Sequence, residues 1–140
     1  MSELQNIIAI VYDFDHTLSP HYMQDHTVLR HIGLDPQEFW ENCTALIKEK
    51  GYDQELAYMK LMLDHEKIRA LSNHDLQEMG MHLTFFPGIP DFFGELNEVV
   101  QQPRYREGNV HLEHYVVSSG LKAILAVSYT HLTLPTILLV

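Results

Sequence analysis

The chain has 140 residues, which is enough for one domain with a substantial hydrophobic core. Hydrophobic residues make up 46% of the sequence and charged residues 20%, which is typical of a globular protein and not of a disordered, collagen-like or membrane protein. The formal net charge of -10 disfavours binding to nucleic acids or to acidic membranes. The single cysteine, Cys43, cannot form an intrachain disulfide, and the first residues lack the basic segment of a signal peptide, so we expect a cytoplasmic protein.

The first predicted element is a strand. Ile7 to Tyr12 form a short apolar run without alternation, which is typical of a strand covered on both faces in a parallel sheet. The run is too short to span a bilayer. Asp13-Phe14-Asp15-His16-Thr17 follows directly, and Ser19-Pro20 then breaks the strand.

A long helical block is predicted from about Met23 to Leu83. Asp35-Pro36 indicates the start of a helix and Gly51 its end. Asp53 starts another helix, with three residues that form an apolar face: Leu56, Met59 and Leu63. Ser72-Asn73-His74-Asp75 has the spacing of a capping box, which starts a further helix.

The remaining pattern alternates helix and strand. Pro90-Asp91 starts a helix with a broad apolar stripe: Phe92, Phe93, Leu96, Val99 and Val100. Gln101 to Asn109 is polar and loop-like, Leu112 to Val117 is a predicted second strand, and a helix begins near Leu121. This order predicts an α/β fold with a partial, Rossmann-like parallel sheet, of which only two strands are visible. The helical block is too long for a simple crossover, so we interpret it as an insertion.

The C-terminal residues have an unusual composition. No Asp, Glu, Lys or Arg follows Lys122, but the Ser, Thr, His and Pro residues there argue against a membrane helix. Val127 to Thr136 resembles the one-frame translation of a common transposon-end sequencing adapter. We therefore interpret residues 127–140 as a foreign tail joined to a truncated gene and leave them out of the fold. The alternative is a genuine last strand at about Thr136 to Val140.

The acidic turn after the first strand carries the strongest chemical signal. Asp13 and Asp15 lie on the same side of an extended chain, whereas Phe14 points the other way. The two carboxylates repel each other unless a proton or a cation intervenes, and Mg²⁺ would leave coordination sites for phosphate oxygens and water. One carboxylate could then attack while the other acts as general acid and base. The alternative is a pair of solvated turn aspartates.

A second turn, Ser118-Ser119-Gly120, follows the second predicted strand. A hydroxyl group and unobstructed amides at the start of a helix form an anion site. In a parallel sheet this turn would face the same crevice as the acidic turn, at the carboxyl ends of the strands.

Together the two turns resemble the first two motifs of haloacid dehalogenase-like hydrolases. The resemblance is to phosphatase-type members with a helical cap after the first motif, similar to phosphoserine phosphatases, and it covers about residues 6–126. It implies a core formed by residues 1–17 and 84–126 and a cap formed by residues 18–83. It also implies that the intact protein hydrolyses a phosphate monoester of a small metabolite.

The resemblance assigns roles to particular residues. Asp13 would be the nucleophile that forms an aspartyl-phosphate, and Asp15 would protonate the leaving group and later activate water. The Asp13 side chain and the Asp15 backbone carbonyl would bind Mg²⁺. Thr17 would help to fix the turn in the phosphate site, where three further residues would hold the phosphoryl group: Ser118, Ser119 and Gly120.

The sequence departs from the family pattern in several places. Ser119 stands where relatives often have glycine, and Lys122 lies too close to Ser118 to serve as the third-motif lysine. No Asp or Glu follows Glu113, so the fourth-motif acidic pair is missing. Truncation would account for both absences. Two alternatives therefore remain open, a catalytically incomplete fragment and a phosphomutase or phosphotransferase of the same family.

The ten histidines do not predict a zinc site. His21, His26 and His31 are spaced by five residues, which places them on no common face of an α-helix, whereas zinc sites need converging ligands. We interpret them as solvent-exposed. The methionines of the helical block are interpreted as packing residues, with a lipophilic substrate surface as the alternative: Met59, Met62, Met79 and Met81.

Overall fold

A computed structural model of the chain describes the backbone of residues 6–132 and 137–139 and the side chains of residues 6–128. In these ranges the protein is mixed α/β, with a small parallel sheet and a mostly helical remainder. The elements are β1 (Ile7–Asp13), a π-helical segment (Asp25–Leu29), α1 (Arg30–Ile32), α2 (Pro36–Lys50), α3 (Gln54–Asp64), α4 (Glu66–Arg69), α5 (Asn73–Gly80), α6 (Ile89–Val100), α7 (Pro103–Arg106), β2 (His111–Val117), α8 (Lys122–Leu132) and β3 (Ile137–Leu139).

The sheet has the strand order β1-β2-β3, and both pairings are parallel. Parallel neighbours need a crossover connection, and the helical block with α6 and α7 connects β1 to β2. In the ladder Ile7 is opposite His111 and Asp13 is opposite Val117. The prediction of an α/β chain with a parallel sheet is therefore confirmed.

The predicted helix ends are confirmed, because they depend on local hydrogen bonds. Asp35 and Asp53 each accept a bond from a backbone amide in the first turn of their helix, at 3.1 and 2.7 Å. Gly51 ends α2 with a φ of 71°, a conformation that glycine adopts without steric cost. Ser72 and Asp75 form the capping box at the start of α5 with both reciprocal bonds present.

The buried face of α3 is not the apolar face that the sequence indicates. Leu56, Met59 and Leu63 are 57%, 39% and 64% exposed. The buried residues of α3 are Ala57, Tyr58 and Met62. Apolar residues occur on both faces of this helix, and its packing against α2 decides which face is covered.

β1 is less covered than the sequence predicts. Ile7, Ile8 and Val11 are 55%, 47% and 61% exposed, so the expectation of a strand covered on both faces is wrong. In the described part of the chain β1 has only β2 as a neighbouring strand and lies at the edge of the sheet. Its covered end is the C-terminal one, where the Tyr12 ring packs edge-on against Phe93 of α6 at 5.3 Å between centroids.

The apolar stripe of α6 is also narrower than predicted. Phe93 and Val100 are buried, whereas Phe92 and Val99 are 37% and 40% exposed. The polar segment from Gln101 to Asn109 contains the short helix α7, which the sequence analysis did not predict.

Residues 127–132 and 137–139 belong to elements of the fold. α8 continues to Leu132, and β3 pairs in parallel with β2, with Tyr115 opposite Leu138. The expectation that these residues lie outside the fold is therefore wrong for the described backbone, and the alternative of a last strand agrees with β3. The interpretation of residues 127–140 as foreign sequence concerns their origin and stays a prediction.

One hydrophobic cluster joins the helical block to the sheet. Its buried members include Phe14 after β1, Phe39 of α2, Tyr58 of α3 and Ile124 of α8. α5 lies within the predicted cap range and packs against α8. Residues of the predicted cap and core therefore share a single packed interior. None of the described helices combines the length and apolar character needed to cross a membrane.

Gly80 lies where α5 packs against α8. A Cβ atom at this position would overlap the carbonyl oxygen of Ile124 and lie 3.1 Å from its carbonyl carbon. Because helix backbone cannot rotate away as a side chain can, we expect Gly80→Ala to lower the free energy of unfolding by about 1–3 kcal/mol. Urea denaturation followed by circular dichroism measures this change.

Gly94 of α6 provides the matched control, because no atom lies within 4 Å of a Cβ built at this position. Alanine favours the helical conformation, so Gly94→Ala should raise the free energy of unfolding by about 0.5–1 kcal/mol. An equal change in the free energy of unfolding of Gly80→Ala and Gly94→Ala would contradict the close packing of α5 on α8.

Candidate functional site

The two polar turns predicted from the sequence lie at the same edge of the sheet. Asp13 is the last residue of β1 and is opposite Val117, the last residue of β2. The chain therefore enters the acidic turn and the Ser118-Ser119-Gly120 turn from neighbouring strands. Parallel sheets commonly bind ligands at this carboxyl edge.

The acidic turn is built around the carbonyl oxygen of Phe14. The amides of Thr17, Leu18 and Ser19 donate to this oxygen at 3.3, 2.9 and 3.1 Å. Phe14 and Leu18 are fully buried, which anchors the turn to the hydrophobic cluster. His16 has a φ of 59°, a left-handed conformation that is costly for a residue with a side chain and is concentrated at functional turns.

Asp13 is exposed at the end of β1. The hydroxyl group of Thr17 donates to its Oδ2 atom at 3.2 Å, which restricts the orientation of the carboxylate. An exposed, oriented carboxylate can reach a bound electrophile, which is the geometric requirement for a nucleophile.

Asp15 has a different environment although it lies only two residues further on. Its Oδ1 atom accepts a hydrogen bond from the amide of Met23 at 2.8 Å, and the side chain is partly buried. Burial raises the pKa of Asp15 from 3.8 to about 6; the Met23 amide opposes this rise, and the nearby Asp13 charge adds to it. A carboxyl group with a pKa near neutrality can both donate and accept a proton.

The second turn is folded on itself and hydrogen-bonded to the helical block, while Ser119 stays exposed. The Ser118 hydroxyl oxygen accepts from the Gly120 amide at 3.0 Å, and the Ser119 carbonyl accepts from the Tyr58 hydroxyl at 2.5 Å. The amide of Leu121 donates to the sulfur of Met23 at 3.2 Å. The prediction of an unobstructed amide at Gly120 is therefore wrong, because Ser118 already binds it.

Several residues of this site were missed by the sequence analysis. Met23 contacts both turns, through its amide to Asp15 and through its sulfur to the Leu121 amide. Tyr58 connects α3 to the second turn. No local pattern in the sequence marks either residue, because each acts on a segment distant along the chain.

An aromatic series borders the acidic turn. The rings of His16 and Tyr22 are 4.5 Å apart, and those of Tyr22 and Trp40 are 4.7 Å apart. The indole nitrogen of Trp40 donates to Asp25 at 2.8 Å, and its ring lies 6.2 Å from the Tyr58 ring. This series connects the acidic turn to α2 and α3.

The described residues fit Mg²⁺ in donor type but not in number. The Asp13 carboxylate and the Asp15 backbone carbonyl offer the oxygen ligands that Mg²⁺ prefers. Among residues 6–128, however, no group of three or more His, Cys, Asp or Glu side chains could hold a metal ion. These residues therefore supply at most part of a coordination shell.

No model of a known protein family matches the chain. The chain is similar to an uncharacterized protein of Borreliella burgdorferi, with 29% identity over 134 residues. The match covers 89% of this chain and 46% of the relative, so the chain spans slightly less than half of the relative's length.

The pKa of Asp15 predicts a pH-dependent stability difference. The folded chain binds the Asp15 proton more tightly than the unfolded chain, because the pKa rises from 3.8 to about 6 on folding. The resulting stabilisation is fully present below pH 3.8, the pKa of Asp15 in the unfolded chain. It is lost as the pH rises through about 6, the pKa of Asp15 in the folded chain. Asp15→Asn keeps an oxygen acceptor for Met23 and should therefore raise the free energy of unfolding more at about pH 7.5 than at about pH 4.

Denaturant unfolding of both chains in metal-free buffer at the two pH values measures this difference. A stability difference that does not change with pH would contradict the partly buried position of Asp15.

Proposed function

We propose that the chain carries the nucleophile and the general acid–base of a Mg²⁺-dependent phosphate monoester hydrolase of the haloacid dehalogenase-like type. The main support is the contrast between two carboxylates in one turn, the exposed Asp13 and the partly buried Asp15 with a pKa of about 6. Carboxyl groups whose environments separate their pKa values are typical of paired catalytic roles.

In the first step an Asp13 carboxylate oxygen attacks the phosphorus atom of the monoester. The bond from phosphorus to the leaving oxygen breaks as the aspartyl-phosphate forms, and Asp15 donates its proton to that oxygen. In the second step Asp15 takes a proton from water, which attacks the aspartyl-phosphate and releases inorganic phosphate. Asp13 and Asp15 are then regenerated.

The pKa of Asp15 suits both steps. With a value of about 6, the carboxyl group is protonated in about a tenth of the molecules at pH 7 and ionised in the rest. It can therefore donate to an alkoxide and afterwards accept from water without a large energetic cost. Hydrolysis of an alkyl ester needs such a donor, because an alkoxide is a poor leaving group.

Neighbouring residues orient the reacting groups. The Thr17 hydroxyl donates to Oδ2 of Asp13, which restricts the orientation of this carboxylate. The Ser118 hydroxyl oxygen accepts from Gly120, so its own proton is available for a phosphate oxygen. The Ser119 backbone lies in the same turn, held by Tyr58.

Mg²⁺ at the Asp13 carboxylate and the Asp15 carbonyl would reduce the repulsion between the nucleophile and the phosphate. The chain's own part is to hold these oxygens at one edge of the sheet. We propose small phosphorylated metabolites as substrates and the cytoplasm as the location, where the single buried cysteine, Cys43, would stay reduced. A phosphomutase or phosphotransferase would use the same first step with a different acceptor.

The second candidate is a catalytically incomplete chain. It is favoured by the partial set of metal ligands among residues 6–128 and by the 46% coverage of the relative. In that case the described residues would keep the structure of both turns but would not hydrolyse a substrate.

Phosphorylation of Asp13 is the first prediction of the hydrolase proposal. We expect the full chain, incubated with p-nitrophenyl phosphate and Mg²⁺ and quenched in acid, to gain the mass of one phosphoryl group. Hydroxylamine should remove this group, because it is an acyl phosphate. Asp13→Asn should abolish the adduct, because an amide is not a nucleophile at this position.

Asp35→Asn is the matched control, since asparagine caps a helix as well as aspartate does. It should gain the adduct to the same extent as the unchanged chain. An adduct on Asp13→Asn would sink the nucleophile assignment. A chain that unfolds cooperatively but gains no adduct would favour the catalytically incomplete alternative.

Replacement of Asp15 separates the two steps. p-Nitrophenolate leaves without a proton donor, so Asp15→Asn should still form the aspartyl-phosphate but hydrolyse it about 100-fold more slowly, and the adduct should accumulate. With an alkyl phosphate the first step should also slow, and little adduct should form. Quenched-flow mass spectrometry with both substrates measures these rates, and equal effects on both would argue against Asp15 as the proton donor.

A further inference from the structure

A cavity of about 560 Å³ opens between the π-helical segment with α1 and the end of α5. The residues that line it are His26, Thr27, Arg30, His31, Met79 and His82. We propose that this cavity binds a polyatomic oxyanion, a phosphate or a carboxylate group. The inference concerns a second site and does not depend on the proposed hydrolase activity.

The ionisable residues that line the cavity are all basic, although the chain as a whole is strongly acidic. A guanidinium group and three imidazoles line it, and no carboxylate is among its described lining residues. The whole chain has nine Lys and Arg residues against nineteen Asp and Glu residues. A concave surface whose ionisable side chains are all hydrogen-bond donors of potential positive charge matches the chemistry of an oxyanion.

Arg30 is the strongest donor in the cavity. Its planar guanidinium can bind two oxygens of a phosphate or carboxylate at once. An imidazole donates from one ring nitrogen when neutral and from two when protonated, so the three histidines can supply donors at any pH. The Thr27 hydroxyl already donates to the Met23 carbonyl at 2.5 Å and forms part of the wall.

The fold holds these donors in place. Val28 and Leu29 of the π-helical segment are fully buried and anchor it to the hydrophobic cluster. The His26 ring packs against the His21 ring with 4.1 Å between centroids, which restricts its orientation. α5 packs against both the π-helical segment and α8, and it brings Met79 and then His82 to the opposite wall.

The prediction that these histidines are merely solvent-exposed is therefore incomplete. His21 and His26 come into ring contact because the chain between them is not a regular α-helix: a bend precedes the helical turn, which continues as a π-helix. An α-helical spacing rule does not apply to such a segment.

A single metal ion is not the occupant that the geometry favours. Among residues 6–128, no three His, Cys, Asp or Glu side chains lie close enough to hold one metal ion. The three imidazoles of the cavity therefore do not converge on one metal ion. An anion with several oxygen atoms spans a larger distance and can accept from donors on both walls.

The charged groups around the histidines make binding dependent on pH. Burial lowers the pKa of His26, the neighbouring His21 and Arg30 add to this effect, and Asp25 opposes it. Without an anion His26 is therefore mostly neutral at pH 7. A bound oxyanion would favour the protonated ring, so affinity should rise as the pH falls.

Two carboxylates of α5 lie on the far side of His31 and His82. Asp75 and Glu78 line an adjoining cavity of about 220 Å³ together with His31, Met79 and His82. Asp75 is bound by Ser72 in the capping box, and Glu78 lies 3.5 Å from the His74 ring. Both carboxylates line this adjoining cavity and neither lines the larger one, so the larger cavity keeps a lining without acidic side chains.

Sulfate is a suitable probe, because it stays a dianion across the pH range in which histidines titrate. We expect the histidine ring signals in NMR spectra of the full chain to shift saturably with sulfate. The dissociation constant at about pH 6 should be at least about fivefold lower than at about pH 8. Inorganic phosphate and acetate, titrated in the same way, distinguish phosphate from carboxylate as the preferred group.

Arg30→Gln and His82→Gln should each raise the dissociation constant for sulfate at least about fivefold. Arg104→Gln is the matched control: Arg104 lies in α7 over the Tyr105 ring, with 4.5 Å to its centroid, and its loss should leave binding unchanged. Thermal unfolding of every variant checks that the fold is kept. Because Arg30 and His82 lie on opposite walls of the cavity, one variant still tests the site if the other does not fold.

Shifts that never saturate, or an equal weakening by Arg104→Gln, would overturn the proposal. So would binding that survives Arg30→Gln and disappears in Ser118→Ala, because the anion would then occupy the second turn at the edge of the sheet. Loss of binding in the Arg30 and His82 variants, with binding kept in Ser118→Ala, would support a separate oxyanion site.

Discussion

Asp13 and Val117 are partners in the parallel ladder between β1 and β2, and the rest of the candidate site depends on this register. A shift by one residue would reverse the direction of every side chain in one strand relative to the other. With the observed pairing, the acidic turn and the Ser118 turn leave the sheet next to each other. Two short polar segments that are distant along the chain thereby form one site.

Met23 connects this edge to the helical block. Its amide holds Asp15, and its sulfur accepts from the Leu121 amide, so one residue restrains both turns. A Cβ atom at Gly120 would meet the sulfur and terminal methyl group of Met23, so the glycine lets the end of the Met23 side chain lie against the second turn. The packing around Met23 partly buries Asp15, and this burial raises the pKa of Asp15. The same packing that completes the hydrophobic cluster thus determines the protonation of a candidate acid.

The chain separates its charges over two regions. Asp13 and Asp15 lie at the carboxyl edge of the sheet, whereas Arg30 and its neighbouring histidines line a cavity between helices. Dissolved salt screens interactions between exposed charges that are more than about 10 Å apart. The charges that line each region can therefore attract a ligand that the net charge of the whole chain would repel. We therefore expect the bulk charge to disfavour large polyanions as partners more than small oxyanions.

The sequence by itself determined the features that depend on neighbouring residues. Asp35, Gly51 and Ser72 mark helix ends through bonds to their own first or last turn, and the apolar run before Asp13 becomes a strand. The pairing of that strand with β2 followed from the α/β pattern, and so did the meeting of the two turns.

Only the tertiary structure decided what depends on contacts between distant segments. The buried face of α3, the pairing of β3 with β2 and the occupied amide of Gly120 arise from such contacts. The environment of Asp15 and the clustering of histidines around Arg30 arise in the same way. The physical reason is that burial and pKa depend on every atom packed around a group, whereas helix capping depends on a few adjacent residues.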